Sequence, residues 1–188
     1  MRQATSPHGG LVVWFTGLSG AGKTTLCRAL EPALRSVGYP VEVLDADNIR
    51  QHLSRDLGFS KADRDENVFR IACLARSLVL HDVIVLVAAI SPYREARLRA
   101  REHIENFLEV FVNASLETCI QRDPKRLYAR VLAGEIEHFT GIDDPYEPPS
   151  EAEVQCDTDC ESLNESMSKV LAAISDALQR KSAILREA

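Results

Sequence analysis

Gly17-Leu18-Ser19-Gly20-Ala21-Gly22-Lys23-Thr24 is the stretch on which the reading of this chain turns. It satisfies the phosphate-loop pattern G-x-x-x-x-G-K-[ST] at every constrained position. An apolar, β-prone run from Leu11 to Phe15 precedes it, and Leu26, Leu30, Ala33, Leu34 and Val37 follow at helical spacing. Strand, loop and helix therefore come in the order that a phosphate cradle requires. Gly17, Gly20 and Gly22 let the backbone curl so that its N–H groups face phosphate oxygens, and the helix that starts there adds its positive dipole end. Ser19, Ala21 and Thr25 complete the cradle, Lys23 brings a point charge to the β- and γ-phosphates, and Thr24 offers a hydroxyl to Mg²⁺. A Gly-rich turn without a ligand is the bland alternative, and the full match in full context weighs against it.

The chain has 188 residues, which suits one α/β domain with a substantial core. Its formal charge of −6 argues against a nucleic-acid or anionic-membrane surface, while leaving room for a small anionic substrate in a locally basic cleft. Five scattered cysteines, Cys27, Cys73, Cys119, Cys156 and Cys160, do not form a secreted disulfide pattern. Cys156 and Cys160 invite a metal or redox reading, but no second ligand pair stands nearby, so plain thiols are the expectation. With no signal peptide and no run approaching a membrane span, the expected location is the cytoplasm.

Residues 1–10 read as a flexible leader, 11–180 as a single kinase-sized domain and 181–188 as a C-terminal tail. Val41 to Leu44 reads as a buried strand ending at Asp45. Because ligands of doubly wound sheets lie beyond the carboxyl ends of the strands, Asp45 and Asp47 are expected to face the phosphate loop. Ser60 is a candidate N-cap for a long helix with Val68, Ile71, Ala72, Ala75, Leu78 and Val79 on its apolar face. Val83 to Ala89 reads as a central parallel strand that Pro92 stops, placing Ser91 on the same rim. Arg94 to Asn106 reads as a charged, exposed helix, Phe107 to Val112 as a strand and Leu116 to Gln121 as a short helix. The basic, weakly patterned segment from about 123 to 141, with Lys125, Arg126 and Arg130, suits either a lid over ATP or an ordinary surface helix. Asp143 to Glu153 reads as an extended connector and Val154 to Thr158 as an edge strand. Leu163 to Leu178 carries a helical core stripe. The fold class expected is α/β, a three-layer P-loop NTPase type with a mostly parallel sheet and a lid segment.

On residues alone, one rim gathers a phosphate loop, two acids, a serine and the basic residues Arg50, Arg55 and Arg64. An acid beside an acceptor hydroxyl, with cations around the transferring phosphoryl group, describes a small-molecule kinase, and the arginines suggest an anionic acceptor.

Further segments narrow this. Leu44-Asp45-Ala46-Asp47-Asn48-Ile49-Arg50, Asp56-Leu57-Gly58-Phe59-Ser60, Asp63-Arg64-Asp65-Glu66-Asn67, Ile90-Ser91-Pro92-Tyr93-Arg94, Arg122-Asp123-Pro124-Lys125, Ala133-Gly134-Glu135-Ile136 and Phe139-Thr140-Gly141-Ile142-Asp143 stand in that order behind the phosphate loop. Together they resemble the adenylylsulfate kinase (APS kinase) family over about residues 11–160. The resemblance implies transfer of the ATP γ-phosphoryl group to the ribose 3′-hydroxyl of adenosine 5′-phosphosulfate (APS), giving PAPS, with ATP and Mg²⁺ as cofactors. It implies Asp47, Lys23 and Asp45 as catalytic residues, with Asp47 nearest the acceptor hydroxyl. Asn48, Ile49, Arg50, Arg64, Asn67, Ile90 and Ser91 are implied around the acceptor, Phe59 and Phe139 about its adenine, and Lys125 and His138 along the lid side. Family descriptions also give the serine matching Ser91 a phosphorylated-intermediate role; on its own it reads as a strand-end serine that hydrogen-bonds. A homodimer and functional association with an ATP sulfurylase are likewise implied.

Three positions depart from the family's usual pattern: Ala46 and Arg126 stand where Gly is usual, and Leu132 where Arg is usual. The rival readings are a P-loop kinase for another small hydroxyl substrate and a nucleotide-binding module without kinase activity. No N-K-x-D segment supports a GTPase switch.

Overall fold

Strand β1, Leu11–Thr16, is buried along its whole length, and its alternating side chains feed two separate cores. The computed structural model describes residues 9–187, so positions 1–8 of the segment read as a leader lie outside the described residues. Leu11, Val13 and Phe15 point to one face, where they meet Leu26, Leu30 and Leu34 of α1 (Lys23–Ser36) and Val170, Ile174 and Leu178 of α7 (Leu163–Glu187). Val12 and Trp14 point to the other, against Val68, Ile71, Ala72 and Ala75 of α3 (Lys61–Val79) and Ala96 and Ala100 of α4 (Arg94–His103). A sheet covered on both faces must be apolar on both, which is why Leu11 to Phe15 of β1 and all of β3 (Ile84–Ala88) are unbroken hydrophobic runs.

With β2 (Val41–Asp45), β4 (Phe107–Asn113) and β5 (Val154–Asp157), the sheet has the order β2-β3-β1-β4-β5, every pair parallel. Helices on both sides make this the three-layer α/β arrangement expected from the sequence. Register decides where the chemistry lies. Asp45 pairs with Ala88 and Ala88 with Phe15, so the ends of β2, β3 and β1 stand level on one rim. The loop from Gly17, the chain after Asp45 and the turn at Ser91 all leave from there.

Several boundaries differ from the sequence reading. A helix α2, Ala46–His52, begins directly after β2, nucleated by the Asp45 side chain, which accepts from Asp47 N. α4 ends at His103, and it is not simply exposed: Arg97 on its inner face is buried. α7 runs on to Glu187, through most of the stretch set apart as a tail. Between α5 (Leu116–Arg122) and β5, the segment read as a lid holds one short helix, α6 (Leu127–Leu132), followed by a loop. Ser60 caps α3 as expected, accepting from Asp63 N.

Candidate active site

The phosphate loop is braced from outside by atoms that the motif does not contain. Thr158 Oγ1 donates to Ala21 O at 2.8 Å, and Tyr128 Oη donates to Ser19 O at 3.0 Å. Gly17 has φ +147°, and a Cβ there would run into Val112 O; Gly20, at φ +80°, would put one 3.0 Å from Cys119 O. Side chains are thus excluded by conformation and by space, and the backbone of the loop stays available to a ligand. Ala21 is buried, Ser19 and Gly22 are half-buried, and Thr25 on the first turn of α1 is exposed.

Lys23 is 9% exposed and donates to Gly17 O at 2.9 Å and Leu18 O at 2.8 Å. Burial lowers its pKa from the usual 10.5 to about 8; the Asp47 and Asp45 carboxylates oppose that drop, while the Lys125 charge adds to it. Beside it Thr24 Oγ1 donates to Asp45 Oδ2 at 2.9 Å. A hydroxyl and a carboxylate side by side are hard oxygen ligands of the kind Mg²⁺ takes, with phosphate and water completing its shell. Among the described residues no group of three or more His, Cys, Asp or Glu side chains could hold a metal by itself.

Asp47, in the first turn of α2, holds its carboxylate in the open, 63% exposed, and pairs with Lys125 of the lid segment. The rim is therefore crossed by a chain of charges from Lys23 through Asp47 to Lys125. A second group lies alongside. Arg50 donates to Gly58 O and stacks 4.3 Å from the centre of the Phe59 ring. Arg64 donates to Phe59 O at 2.9 Å, to Thr140 Oγ1 at 2.9 Å, to His138 O, and to Asp144 Oδ2 at 3.3 Å. Burial and the Arg64 charge push the Arg50 pKa down, with Asp63 and Asp47 opposing. Two guanidiniums this close keep a standing preference for anions.

Arg64 brings together elements far apart in sequence, and between them lies a cavity of about 470 Å³ lined by Phe59, Ser60, Lys61, Tyr93, Glu137, His138 and Asp144. That is within the range of small-molecule sites. Phe59 is 59% exposed. Phe139 is half-buried and packs edge-on to Tyr128, ring centres 5.0 Å apart. Its backbone is fixed by Asp143, whose carboxylate accepts from the N–H groups of His138 and Phe139; those bonds hold the Asp143 carboxyl below its usual range. Asn67 is buried, and its Oδ1 has no hydrogen-bond partner among the described residues. Ile49 packs against the Trp14 side of the core, Asn48 is exposed and Ile90 is half-buried.

Ser91 is the residue that the structure treats differently from its catalytic assignment. Its hydroxyl is buried, accepts from Trp14 Nε1 at 3.0 Å and donates to Thr16 Oγ1 at 3.1 Å. With φ at 41° and its carbonyl held by Arg97, it is a hydrogen-bonding node under the rim rather than an exposed nucleophile. Both hydroxyl bonds are those of a strand-end serine that braces its neighbours.

The three departures acquire physical content. Ala46 sits in the right-handed first turn of α2, where Ala forms helix better than Gly, so no strain arises between the two acids. Arg126 takes φ 55°, a conformation natural to Gly. Leu132 ends α6 at 70% exposure. The cysteines are free thiols, with Cys156 Sγ donating to Ser166 O and Cys160 Sγ to Asp157 O. Residues that sequence reasoning missed are Thr140, Asp143 and Asp144, which hold Arg64 and Phe139, and Thr158 and Tyr128, which brace the loop. Only Thr140 and Asp143 lay in a segment quoted for the family resemblance, and Tyr128 lay in the segment read as a lid.

Comparison with known proteins agrees with this geometry. The sequence model of the adenylylsulphate kinase family matches residues 9–157. An adenylyl-sulfate kinase of Synechococcus sp. (strain JA-3-3Ab) is 59% identical over 165 residues, 88% of this chain and 94% of that one. Its counterpart in Microcystis aeruginosa is 59% identical over 161 residues, 86% and 89% of the two chains. The Mycobacterium tuberculosis APS kinase, solved in complex with AMPPNP and APS, superposes with a TM-score of 0.85 at 44% identity, covering 92% of this chain and 99% of that one.

Proposed function

This chain belongs to the adenylylsulphate kinase family, and from that premise we propose that it transfers the γ-phosphoryl group of ATP to the ribose 3′-hydroxyl of APS, yielding PAPS and ADP. The observation that carries the proposal is the charge chain on the rim. Asp47 lies close enough to Lys23 to oppose the fall in its pKa and pairs with Lys125, so one carboxylate stands between the phosphate loop and the lid.

In this reading the loop N–H groups and Lys23 hold the β- and γ-phosphates. Thr24 and Asp45 would hold Mg²⁺, which would supply charge neutralisation at the phosphates. The acceptor 3′-oxygen attacks the γ-phosphorus in line; the bond from that phosphorus to the β,γ-bridging oxygen breaks, and ADP leaves with the electron pair. Asp47 orients the acceptor hydroxyl and takes its proton. Lys125 must then leave Asp47, which frees its ammonium to meet the charge developing on the transferred group. Transfer is direct, with no phosphoserine at Ser91.

Arg50 and Arg64 hold the phosphosulfate, and the buried Asn67 Oδ1 accepts from a donor on the acceptor nucleotide, which relieves an otherwise costly unpaired atom. Phe59 and Phe139 flank the adenine, with Asn48, Ile49, Ile90 and His138 around it. The segment 123–141 acts as the lid. A homodimer in the cytoplasm, working beside an ATP sulfurylase, completes the proposal; no described helix is long and apolar enough to cross a membrane.

The test is product identification by mass spectrometry after incubation with ATP, Mg²⁺ and APS. PAPS should appear with ADP in equal amounts, and gluconate in place of APS should give neither a phosphorylated product nor extra ADP. ADP release that ignores APS would overturn the assignment.

A further inference from the structure

Arg97 is a guanidinium whose three nitrogens each donate a hydrogen bond within the protein. It is 2% exposed. Its Nε donates to Glu109 Oε1 at 2.8 Å, Nη1 to Ser91 O at 2.7 Å and Nη2 to Glu147 O at 2.7 Å, and its plane lies 5.9 Å from the Tyr146 ring centre. Two of these three partners are main-chain carbonyls on segments that border the acceptor cavity. Ser91 leads through Pro92 to Tyr93, which lines one wall; Glu147 closes the strap whose Asp144 also lines the cavity.

The two segments are also joined directly: Glu147 N donates to Pro92 O at 2.8 Å and Arg94 N to Glu147 Oε2 at 2.7 Å, while Tyr146 Oη lies 3.0 Å from Thr16 Oγ1 at the end of β1. At its other end the strap is held by Arg64 through Thr140 and Asp144. Ser91, at φ 41°, adopts a conformation that a non-glycine residue keeps only when its surroundings enforce it. Arg97 is the charged group that grips its carbonyl.

We propose that Arg97 is a positioning residue for the acceptor nucleotide, clamping the end of β3 and the 144–147 strap at one spacing and so fixing the width of the cavity between Tyr93 and Asp144. Naming the acceptor as APS rests on the function proposed above; the clamp itself does not. A lysine cannot reproduce the fork, because one ammonium cannot span two carbonyls and a carboxylate in a plane. The phosphate loop makes no contact with Arg97 in this network, so ATP should be indifferent to it.

The chain has a single tryptophan, Trp14, and its indole N–H donates to Ser91 Oγ. Its emission therefore reads the Ser91 end of the clamp without turnover. Arg97→Lys should shift Trp14 emission and raise KM for APS by about tenfold, the scale of a lost charged hydrogen bond, with KM for ATP within about twofold of the parent. Glu109→Gln keeps an acceptor for Nε and leaves both carbonyl bonds in place, so it should lower the melting temperature while leaving the emission and KM for APS close to the parent values. Should Arg97→Lys not fold, the double variant Arg97→Met with Glu109→Leu removes both buried charges together and carries the same expected readout.

Unchanged Trp14 emission overturns the clamp whatever the acceptor is. Shifted emission with APS and ATP affected equally overturns the positioning role, since that is the signature of general loosening. A parent protein that does not phosphorylate APS overturns the proposed acceptor instead, and the emission result still decides the clamp.

Discussion

Binding of ATP should be accompanied by proton uptake that grows with pH, and Lys23 sets the size of the effect. Burial holds its pKa at about 8, so in the protein without nucleotide roughly half of these side chains are neutral at pH 8, about a tenth at pH 7 and most at pH 9. A triphosphate seated on the loop favours the ammonium and returns the pKa toward or beyond its ordinary value. The uptake per bound ATP should therefore be about 0.1 proton at pH 7, about 0.5 at pH 8 and about 0.9 at pH 9. ATP affinity should weaken by up to about tenfold per pH unit above pH 8, since each binding event must supply the missing proton. The sign for folding is the opposite. The folded pKa lies below the unfolded one, so the cost of burying the charge is fully present below about pH 8 and is relieved as pH rises from there toward 10.5. Calorimetric titration in two buffers of different ionisation enthalpy, at pH 7, 8 and 9, measures the uptake directly. Lys23→Arg, always charged, should abolish its pH dependence if the variant still binds. Uptake that stays near zero at pH 9 would show that the loop carbonyls of Gly17 and Leu18 hold Lys23 as an ammonium, and the desolvation argument would fail.

Asp47→Ala should reduce kcat by about 10²–10⁴-fold while leaving the ATP dissociation constant within a few-fold, as measured by steady-state kinetics and equilibrium binding; equal losses in both would remove its role at the acceptor hydroxyl. Phe139→Ala should raise KM for APS by roughly tenfold and KM for ATP by much less, because about 1–2 kcal/mol of ring contact is lost on one side of the adenine only. It should also lower the melting temperature, since the same ring packs on Tyr128; unchanged APS kinetics would end the stacking assignment. Arg126→Gly relieves a left-handed residue at the start of α6 against a more flexible unfolded chain, so denaturant unfolding should show a gain below about 1 kcal/mol. A loss of more than about 1 kcal/mol would mean that the Arg126 side chain makes a contact worth more than its backbone strain.

The parts of this molecule that were legible in its sequence are those whose cause is local. The phosphate loop, the apolar strands that need cover on both faces, and Ser60 as a cap each depend on a few consecutive residues. α2 escaped because its seven residues carry no apolar stripe; a single carboxylate, Asp45, starts it, and the same carboxylate meets Thr24. Arg97 escaped for the opposite reason. In Arg94-Glu95-Ala96-Arg97-Leu98-Arg99-Ala100-Arg101 four arginines look alike, and only carbonyls arriving from Ser91 and from Glu147, 50 positions further on, distinguish the one that is buried.

The lid shows the same division between residue type and pairing. Lys125 was readable as a cation, but its partner was not, and the partner decides what it does. Both side chains are at least half exposed, at 50% and 63%, so the Lys125–Asp47 pair is worth little as a stabilising contact and costs little to break. A pair of that kind suits the role proposed for Lys125, the exchange of a carboxylate for a phosphoryl group in each turnover. A buried pair such as Arg97–Glu109, where loss of one partner strands a charge, suits one that must never move. The proposed acceptor site rests on that contrast, with arginines that fix its walls behind a lysine that is free to let go.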